Sequence, residues 1–283
     1  MTLSAPHATF LSVMHPSPTA DSTKNLVLIR GGNDIASAVA HRLFTAGYPV
    51  IILEAPQPLT VRRGMAYASA VYEGRATLDG VTAEAAPTID HTQALLASRR
   101  AIPVLAGAEP SVIPWLQAAV IVDARLRKKE RSTSRVTDAP LVIGLGPGFT
   151  AGVEAHLVIE TNRGPNLGRV ITHGEAEPYN GEPVEIGGYG KARYLYAARG
   201  GSFRTSLDLG SRVERGQVVG EVAGDPLVAK VGGTIRGIVR DGLVVPAGAK
   251  LVDIDPRQIE FYAHKTRVEG ALCARLAALG IRV

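Results

Sequence analysis

The stretch NLVLIRGGNDIASAVAHRLFTAGYPVIILE, residues 25–54, carries the clearest information about the fold of this chain. An apolar run at 25–29 is followed by two glycines and then by apolar residues at helical spacing over 35–44. A second apolar run occupies 49–54. Strand, helix and strand in this order predict two parallel strands joined by a right-handed crossover.

The turn after the first strand matches a dinucleotide-binding fingerprint, G-x-G-x-x-G/A, only in part. Its positions fall on Gly31, Asn33 and Ala36, so an asparagine replaces the glycine that normally lets a pyrophosphate approach the backbone. Glu54 ends the second strand, where an acid usually binds a ribose hydroxyl. Three interpretations stay open: NAD(P) binding, binding of another phosphate-bearing ligand, and a purely structural turn. The candidate ligand-binding residues of this unit are Gly31, Gly32, Asn33, Asp34 and Glu54.

Four charged residues elsewhere in the first half extend the candidate site. Arg62 and Arg63 begin a predicted helical stretch that runs to Tyr72, and adjacent arginines point to different sides of a helix. We therefore expect at most one of them to face a given ligand. Asp123 and Arg125 follow a predicted strand, at the carboxyl edge where α/β sheets place their ligand groups.

A second glycine-rich stretch, LVIGLGPGFTAG, occupies residues 141–152. Its glycines are followed too closely by the next strand to leave room for a full helix, so they predict a turn between strands. Glycines in such a turn can direct backbone N–H groups at an anion. The candidates here are Gly144, Gly146 and Gly148.

Residues 162–193 are polar and rich in turn-forming residues, with little predicted regular structure. Segments of this kind are usually functional or mobile. We include Asn162 and Arg163, at the start of the segment, among the candidate ligand-binding residues.

Residues 195–256 contain two related phrases, GSRVERGQVVGEV (210–222) and DGLVVPAGAKLVDI (241–254). They indicate the two halves of a biotinyl/lipoyl-type module, a flattened barrel-sandwich. Lys230 lies in the turn between the halves, but the Met-Lys-Met or Asp-Lys-Ala pattern of a carrier lysine is missing. We expect no covalent biotin or lipoate, and a structural or docking role for the module.

The predicted fold class is α/β, with an N-terminal Rossmann-like parallel sheet unit and then a β-rich region that includes the biotinyl/lipoyl-like barrel-sandwich. The predicted divisions are a disordered leader (1–24), the Rossmann-like domain (25–135), a β region with the glycine loop and the polar loop (136–194), the β module (195–256) and a C-terminal helix (257–283).

Composition narrows the functional classes. The net charge is +5, but the densest basic run, 125–135, contains no aromatic residue, which disfavours nucleic acid and favours a small anionic ligand or a protein partner. One cysteine, no charged leader and no long apolar stretch predict a cytoplasmic protein without membrane contact. No catalytic motif and no metal-ligand spacing is visible, so we predict no metal and leave open whether the chain is an enzyme.

Several phrases together resemble the YqeB-type accessory proteins of selenium-dependent molybdenum hydroxylases. They are RGGNDIASAVAHRL, EAPQPLTVRRGMAYASAVYEG, VDARLRK, DAPLVIGLGPGFTAG, ETNRG, the stretch from EPYNG to GGY, and the glycine-rich β module. The chain departs from the family at residues 31–34, where it has GGND and the family usually has GAGD.

The resemblance implies an accessory or maturation protein, related in role to XdhC-type maturation factors. Such a protein would bind molybdopterin or its cytosine dinucleotide form and dock with a molybdenum hydroxylase or one of its maturation factors. An NAD(P)-dependent oxidoreductase is the alternative, with NAD(P) the weaker cofactor expectation, and a non-catalytic scaffold is the third possibility. The sequence leaves open the dependence on selenium and the oligomeric state, a homo-oligomer included.

Overall fold

The computed structural model of the protein describes residues 25–107 and 112–257. The predicted leader (1–24) lies outside the described residues, as does the predicted C-terminal helix apart from its first residue.

The described part of the chain is dominated by strands. Its α-helices are α1 (Asp34–Thr45), α2 (Ala70–Glu73), α3 (Ile89–Ser98) and α4 (Ile113–Leu116). Its strands are β1 (Val27–Arg30), β2 (Val50–Glu54), β3 (Arg75–Leu78), β4 (Val81–Ala85), β5 (Ile102–Ala106), β6 (Val120–Asp123), β7 (Leu141–Leu145), β8 (Thr150–Ala151), β9 (Leu157–Ile159), β10 (Val170–Ile171), β11 (Gly174–Glu175), β12 (Tyr194–Tyr196), β13 (Gly201–Arg204), β14 (Arg212–Val213), β15 (Val218–Val222), β16 (Asp225–Val228), β17 (Gly233–Ile238), β18 (Val244–Val245) and β19 (Lys250–Asp255).

One mixed sheet forms the larger part of the structure. Its nine strands follow the order β10-β9-β7-β6-β1-β2-β5-β4-β3. The inner strands are parallel, whereas the edge strands β3 and β10 run antiparallel to their neighbours. The carboxyl ends of β1, β6 and β7 therefore lie side by side, next to the loops that follow them.

Both faces of this sheet are buried, which explains the continuous apolar runs of its central strands. Val27 and Ile29 of β1 pack into one core with Val39 of α1. Leu28, between them in sequence, points to the opposite face and packs into a second core with Leu116 of α4. Neighbouring residues thus alternate between two cores, as the period of a strand requires.

Local signals explain the bounds of α1. Its N-cap is Asn33, whose side-chain oxygen accepts hydrogen bonds from the N–H groups of Ile35 and Ala36. Asp34 in the first turn and Arg42 in the last turn complement the helix dipole. Gly47 follows with φ +89°, a left-handed conformation that turns the chain into β2.

The predicted helical stretch from Arg62 to Tyr72 is wrong. Arg63–Met65 and Tyr67–Ser69 are two short 3-10 turns, and only then does α2 begin. The reason is that the donors bond elsewhere: the N–H of Tyr67 donates to Ser37 Oγ (2.7 Å) and that of Ala68 to the carbonyl of Gly32 (2.9 Å). This segment is held against the first glycine turn rather than in a helix of its own.

The last strands form two antiparallel sheets of four strands each, β12-β19-β17-β14 and β16-β15-β13-β18. They share an apolar core in which Phe203, Ile235 and Leu251 are fully buried. Val61 joins this core from the first half of the chain, and its carbonyl accepts a hydrogen bond from the N–H of Ile238 (2.8 Å).

The predicted fold class, a Rossmann-like parallel unit followed by a biotinyl/lipoyl-like barrel-sandwich, is wrong. The large sheet is mixed, because β3 and β10 are antiparallel edges, and it continues through β7 and β9. The later strands form two antiparallel sheets joined to the rest through Val61, rather than a carrier module of the lipoyl kind. The strand-helix-strand pattern is local, and it contains no information on the antiparallel edges or on this contact.

In the ranges 25–107 and 112–257, no helix is both long enough and apolar enough to cross a bilayer.

Candidate ligand-binding cleft

A cleft of about 470 Å³ opens where the large sheet meets the two antiparallel sheets. Its volume is in the range of small-molecule sites. The walls come from the first turn and α1, the segment before the 3-10 turns, the basic segment after β6, the polar loops and β12 with β19. In residue numbers these are 33–35, 59–62, 126, 128, 147, 161–163, 177–180, 182–184, 186, 193, 194, 250 and 253.

The structure brings five of the predicted site residues to this cleft: Asn33, Asp34, Arg62, Asn162 and Arg163. Pro147 of the second glycine loop and Asn33 of the first both line this cleft. The flanks of the two loops therefore face one cleft, although the loop glycines themselves contact other parts of the chain.

The first turn is closed by its own hydrogen bonds. The N–H of Gly31 donates to the carbonyl of Leu53 (2.7 Å), and the N–H of Gly32 donates to a carboxylate oxygen of Glu54 (2.5 Å). The other oxygen of Glu54 accepts from the N–H of Ala55 (2.7 Å). The carboxylate thus binds the turn instead of projecting into the cleft, where a ribose hydroxyl would need it.

Packing explains why these two positions are glycines. A Cβ on Gly32 would lie 2.9 Å from the nitrogen of Ala68, and one on Gly31 would lie 3.2 Å from the Cα of Arg125. Gly31 also has φ +96°, which other residues rarely adopt. The close approach that the glycines allow is to the chain itself.

The same holds for the second loop. A Cβ on Gly144 would overlap the ring of Phe149, and one on Gly146 would overlap the hydroxyl of Thr161. The N–H of Gly146 donates to the carbonyl of Ile159 (2.8 Å). At Gly148, a Cβ would lie 2.5 Å from the carbonyl oxygen of Glu130, so this loop packs against the basic segment. These contacts give no support to a backbone cradle for an anion.

Asp123 and Arg125 form a buried anchor behind the cleft. Arg125 donates two hydrogen bonds to the Asp123 carboxylate (2.9 and 2.6 Å), which also accepts from Ser132 (2.7 Å) and Ser134 (2.8 Å). Arg30 lies 3.7 Å away. Burial by itself would raise the pKa of Asp123, but the bonds from Arg125 and Ser132 hold that pKa below its ordinary value. The anchor fixes both ends of the segment that carries Lys128.

Arg62 and Arg63 diverge. Arg63 donates to the carbonyl of Ile238 (3.1 Å) and pairs with Asp208, away from the cleft. Arg62 reaches into the cleft, between Asp253 (3.1 Å) and Asp34 (3.6 Å). Burial disfavours its charge, yet the two carboxylates raise the pKa of Arg62 above its ordinary value.

Asp253 also binds Arg193 (2.8 Å), and both of these side chains are buried. The two arginines and the two aspartates of this corner therefore balance each other. On the opposite wall, Asn162 donates to Glu177 (2.6 Å) and so does Asn166 (2.7 Å), which fixes the polar loops relative to each other.

Two lysines of the cleft escaped prediction from the sequence. Lys128 lies 4.9 Å from the ring centre of Tyr179, and Lys250 lies 4.1 Å from that of Tyr194. Both face the cleft. Lys128 belongs to a basic run that suggests a solvated segment, and Lys250 belongs to a module for which we expected no ligand. The cluster of six basic residues at 125–135 was a sequence signal for Lys128, whereas no sequence pattern pointed to Lys250.

Within the described ranges, no group of three or more histidine, cysteine, aspartate or glutamate side chains is arranged to hold a metal ion.

One curated relative matches most of the chain. The protein of Escherichia coli K12 described as "Uncharacterized protein YqeB" is 42% identical over 240 residues. The match covers 85% of this chain. The chain is YqeB-like. It spans 44% of the length of that relative, so the YqeB-like region corresponds to rather less than half of the whole E. coli protein. No protein-family profile matches the chain.

Three solved structures that align with most of the chain have low identity and low TM-scores. The product-bound ectoine utilization protein EutE (DoeB) of Ruegeria pomeroyi is 12% identical, with 82% of this chain and 85% of that chain covered and a TM-score of 0.25. An aspartoacylase family protein of Mesorhizobium loti is 13% identical, with 81% and 84% covered and a TM-score of 0.25. A succinylglutamate desuccinylase/aspartoacylase of Rhodobacter sphaeroides is 16% identical, with 82% and 85% covered and a TM-score of 0.24. Identities and TM-scores of this size do not establish a shared chemistry.

Proposed function

We propose that this protein is a cytoplasmic accessory protein for a molybdenum hydroxylase and that it binds molybdopterin, or its cytosine dinucleotide form, in the cleft. The observation that carries the proposal is that one cleft of suitable size brings together amide side chains, tyrosines and cations that form no ion pair among the described residues. Lys128, Lys250 and Arg163 supply positive charge, and Asn162 and Tyr179 supply polar and aromatic contacts. The resemblance to YqeB-type proteins is the reason for proposing molybdopterin or its cytosine dinucleotide form as the ligand.

The chemistry of the walls fits such a ligand. Molybdopterin carries phosphate and a flat ring that donates and accepts hydrogen bonds. Phosphate is bound by lysine and arginine side chains. A ring needs hydroxyl and amide groups at its edge, which Thr161 and Asn180 can provide, and an aromatic face, which Tyr179 offers at 41% exposure.

The rim of the cleft favours a protein partner. Exposed apolar or aromatic side chains lie on or beside it, namely Leu59, Tyr179, Val184, Tyr189 and Tyr196. Clustered exposed groups of this kind are typical of interaction sites. We propose that the client molybdenum hydroxylase, or a maturation factor of the XdhC type, docks over this rim.

Hydride transfer with NAD(P) is not our proposal. Glu54 is bonded to the N–H groups of Gly32 and Ala55, and Asn33 fills the position at which a pyrophosphate would approach the first turn. A pure scaffold would leave the unpaired cations of the cleft without a role.

Thermal unfolding of the purified protein against a panel of ligands tests the proposal. Molybdenum cofactor and, more weakly, cytidine nucleotides are expected to raise the unfolding temperature by mass action, whereas NAD⁺ and NADP⁺ leave it unchanged. A rise with NAD⁺ or NADP⁺ alone would favour the oxidoreductase. No rise with any ligand, together with tight capture of a client enzyme, would favour the scaffold.

A further inference from the structure

Three of the four carboxylates in the cleft wall form ion pairs, and the fourth, Glu177, binds neutral amides instead. Asp253 and Asp34 are paired with Arg62 and Arg193, as described above. Glu182 pairs with Lys191, which lies outside the cleft wall. Glu177 accepts hydrogen bonds from two neutral amides and keeps its negative charge, since these bonds lower its pKa.

The two lysines are positioned by aromatic rings and not by carboxylates. Lys128 lies over Tyr179 and Lys250 over Tyr194, and neither side-chain ammonium group forms a hydrogen bond or ion pair with the part of the chain that the structure describes. The face of an aromatic ring attracts an ammonium group electrostatically. Unlike a carboxylate, it does not occupy the N–H groups of the ammonium with strong hydrogen bonds. The donors are therefore available to a ligand.

The cationic side chains of the cleft wall lie close enough together for each charge to affect the pKa of its neighbours. Lys250 is exposed to solvent, and partial desolvation at the cleft wall lowers its pKa; Asp253 opposes that effect, and Arg62 and Lys128 lower the pKa further. Lys128 is exposed as well, and partial desolvation lowers its pKa; Asp34 opposes that effect, and Arg163 and Arg62 lower the pKa further. These side chains come from distant parts of the chain and meet in one place.

Arg163 adds a third cation. It is exposed at the cleft, and within residues 25–107 and 112–257 it forms no hydrogen bond or ion pair. Within the described ranges these three cations form no ion pair, and Glu177 is the one carboxylate of the cleft wall that forms none either, so the wall carries an excess of about two positive charges.

We propose that Lys128 and Lys250 together form a subsite for a phosphoryl group of two negative charges, with Arg163 at its edge. The ligand class is a phosphate monoester or a diphosphate. The inference rests on the proposed function, which places the ligand in the cleft. It adds that the phosphoryl group of the ligand is the part bound by the two lysines. It places the anion between two lysines and away from both glycine loops, whose N–H groups are bonded within the chain.

Calorimetric titration tests the subsite with three small probes: inorganic phosphate, inorganic pyrophosphate and CMP. The variants are Lys128→Gln and Lys250→Gln. Their matched controls are Lys129→Gln and Lys230→Gln, because both are exposed lysines outside the cleft wall, one next to Lys128 and one in the same module as Lys250. Circular dichroism confirms the fold of each variant.

We expect at least one probe to bind the wild-type protein, and each cleft variant to weaken it about tenfold or more, as loss of one charge-assisted contact predicts. The controls should stay within about twofold. Tighter binding of pyrophosphate than of CMP would identify a diphosphate ligand, and the reverse order a monoester. Binding that the controls weaken as much as the cleft variants, or no binding of any probe, would overturn the inference.

The two proposals fail separately. If a probe binds through the lysines but molybdenum cofactor does not bind, the phosphoryl subsite stands and the proposed function falls. If molybdenum cofactor binds equally well to Lys128→Gln and Lys250→Gln, the proposed function stands and the subsite is wrong.

Discussion

The side chain of Asn33 makes three hydrogen bonds, two as the cap of α1 and one from its amide to the carbonyl of Ala124 (2.6 Å). It thereby joins the end of β1, the start of α1 and the start of the basic segment. A glycine at this position would open the turn to a pyrophosphate, but it would also remove all three bonds. The replacement of the fingerprint glycine is thus explained by structure rather than by a ligand.

Replacing Asn33 with alanine is expected to lower the free energy of unfolding by about 1–2 kcal/mol, because the helix loses its cap. The control is Asn33→Ser, which keeps a capping oxygen and loses only the contact with Ala124. Urea denaturation measures both. Equal stability of the alanine variant and the wild-type protein would contradict this account of the turn.

Gly144 lies against the ring of Phe149, so Gly144→Ala should lower the free energy of unfolding by about 1–3 kcal/mol through overpacking. Gly164→Ala serves as the control, since a Cβ at Gly164 meets nothing within 4 Å and its φ is not positive. We expect that variant to be close to neutral. If Gly144→Ala instead kept its stability and lost ligand affinity, the glycine would have a binding role after all.

The lowered pKa values of Lys128 and Lys250 predict how phosphoryl binding depends on pH. A lysine with a lowered pKa loses its proton at a lower pH than the usual value of about 10.4, so affinity should fall as pH rises through the lowered pKa. The charged and titratable groups that face these lysines are Asp34, Asp253, the arginines at 62 and 163, and the rings of Tyr179 and Tyr194.

Titration of CMP between about pH 8 and 10 measures this dependence, because its phosphate monoester has a second pKa of about 6 and stays dianionic over that range. The double variant Lys128→Arg with Lys250→Arg stays protonated and should bind with little change over the same range. An equally steep loss of affinity in that variant would show that other groups cause it.

At the scale of elements, the segment between β6 and β7 is held by the anchor around Asp123. Arg30 and Asp123 are buried, and Ser132 and Ser134 bring the far end of the segment back to the same carboxylate. The second glycine loop then packs on its middle, at Glu130. Lys128 therefore projects from a segment that is fixed at both ends.

Asp123→Asn is expected to lower the free energy of unfolding by about 3–5 kcal/mol, because it removes the buried negative charge that both Arg30 and Arg125 contact. Asp225→Asn breaks only the exposed pair with Arg199 and should cost less than about 1 kcal/mol. In the wild-type protein the pKa of Asp123 is depressed on folding. The ionised Asp123 carboxylate therefore contributes to the free energy of unfolding above the pKa of the unfolded state. This contribution is lost as pH falls through the lower pKa of the folded state. A wild-type chain that lost this stability well above pH 4 would contradict the anchor.

Helices and strands could be predicted from the sequence where neighbouring residues carry the pattern that defines them. The apolar runs of β1 and β2 and the period of α1 suffice for a parallel pair, and that pair is present. The short edges β3 and β10 carry no comparable pattern, and the donors of the Arg62–Tyr72 stretch bond to distant partners. Lys128 and Lys250 meet only because the folded chain brings a loop to β19, which no spacing in the sequence records.

At the scale of the whole molecule, the cleft exists because Val61 ties the antiparallel sheets to the large sheet. Its carbonyl accepts from Ile238, and Gly237 packs so closely that an added Cβ would lie 2.8 Å from Val61 Cγ1. Arg62, the next residue, then spans from Asp34 on α1 to Asp253 on β19. One short segment thus sets the distance between the walls that carry Lys128 and Lys250.

Gly237→Ala should therefore lower both the free energy of unfolding, by about 1–3 kcal/mol, and the affinity for pyrophosphate. Adding Val61→Ala removes the nearer clash and should restore part of both. Denaturation and calorimetry of the single and double variants provide the test. A Gly237→Ala protein with unchanged affinity would show that the cleft does not depend on this contact.

The most direct test of the central claim is equilibrium dialysis of the protein against molybdenum cofactor released from a purified molybdenum hydroxylase, with molybdenum measured in both chambers. We predict saturable binding by the wild-type protein and by Lys129→Gln, and loss of that binding in the double variant Lys128→Gln with Lys250→Gln. Absence of binding by the wild-type protein, or binding that the double variant retains in full, would contradict the account.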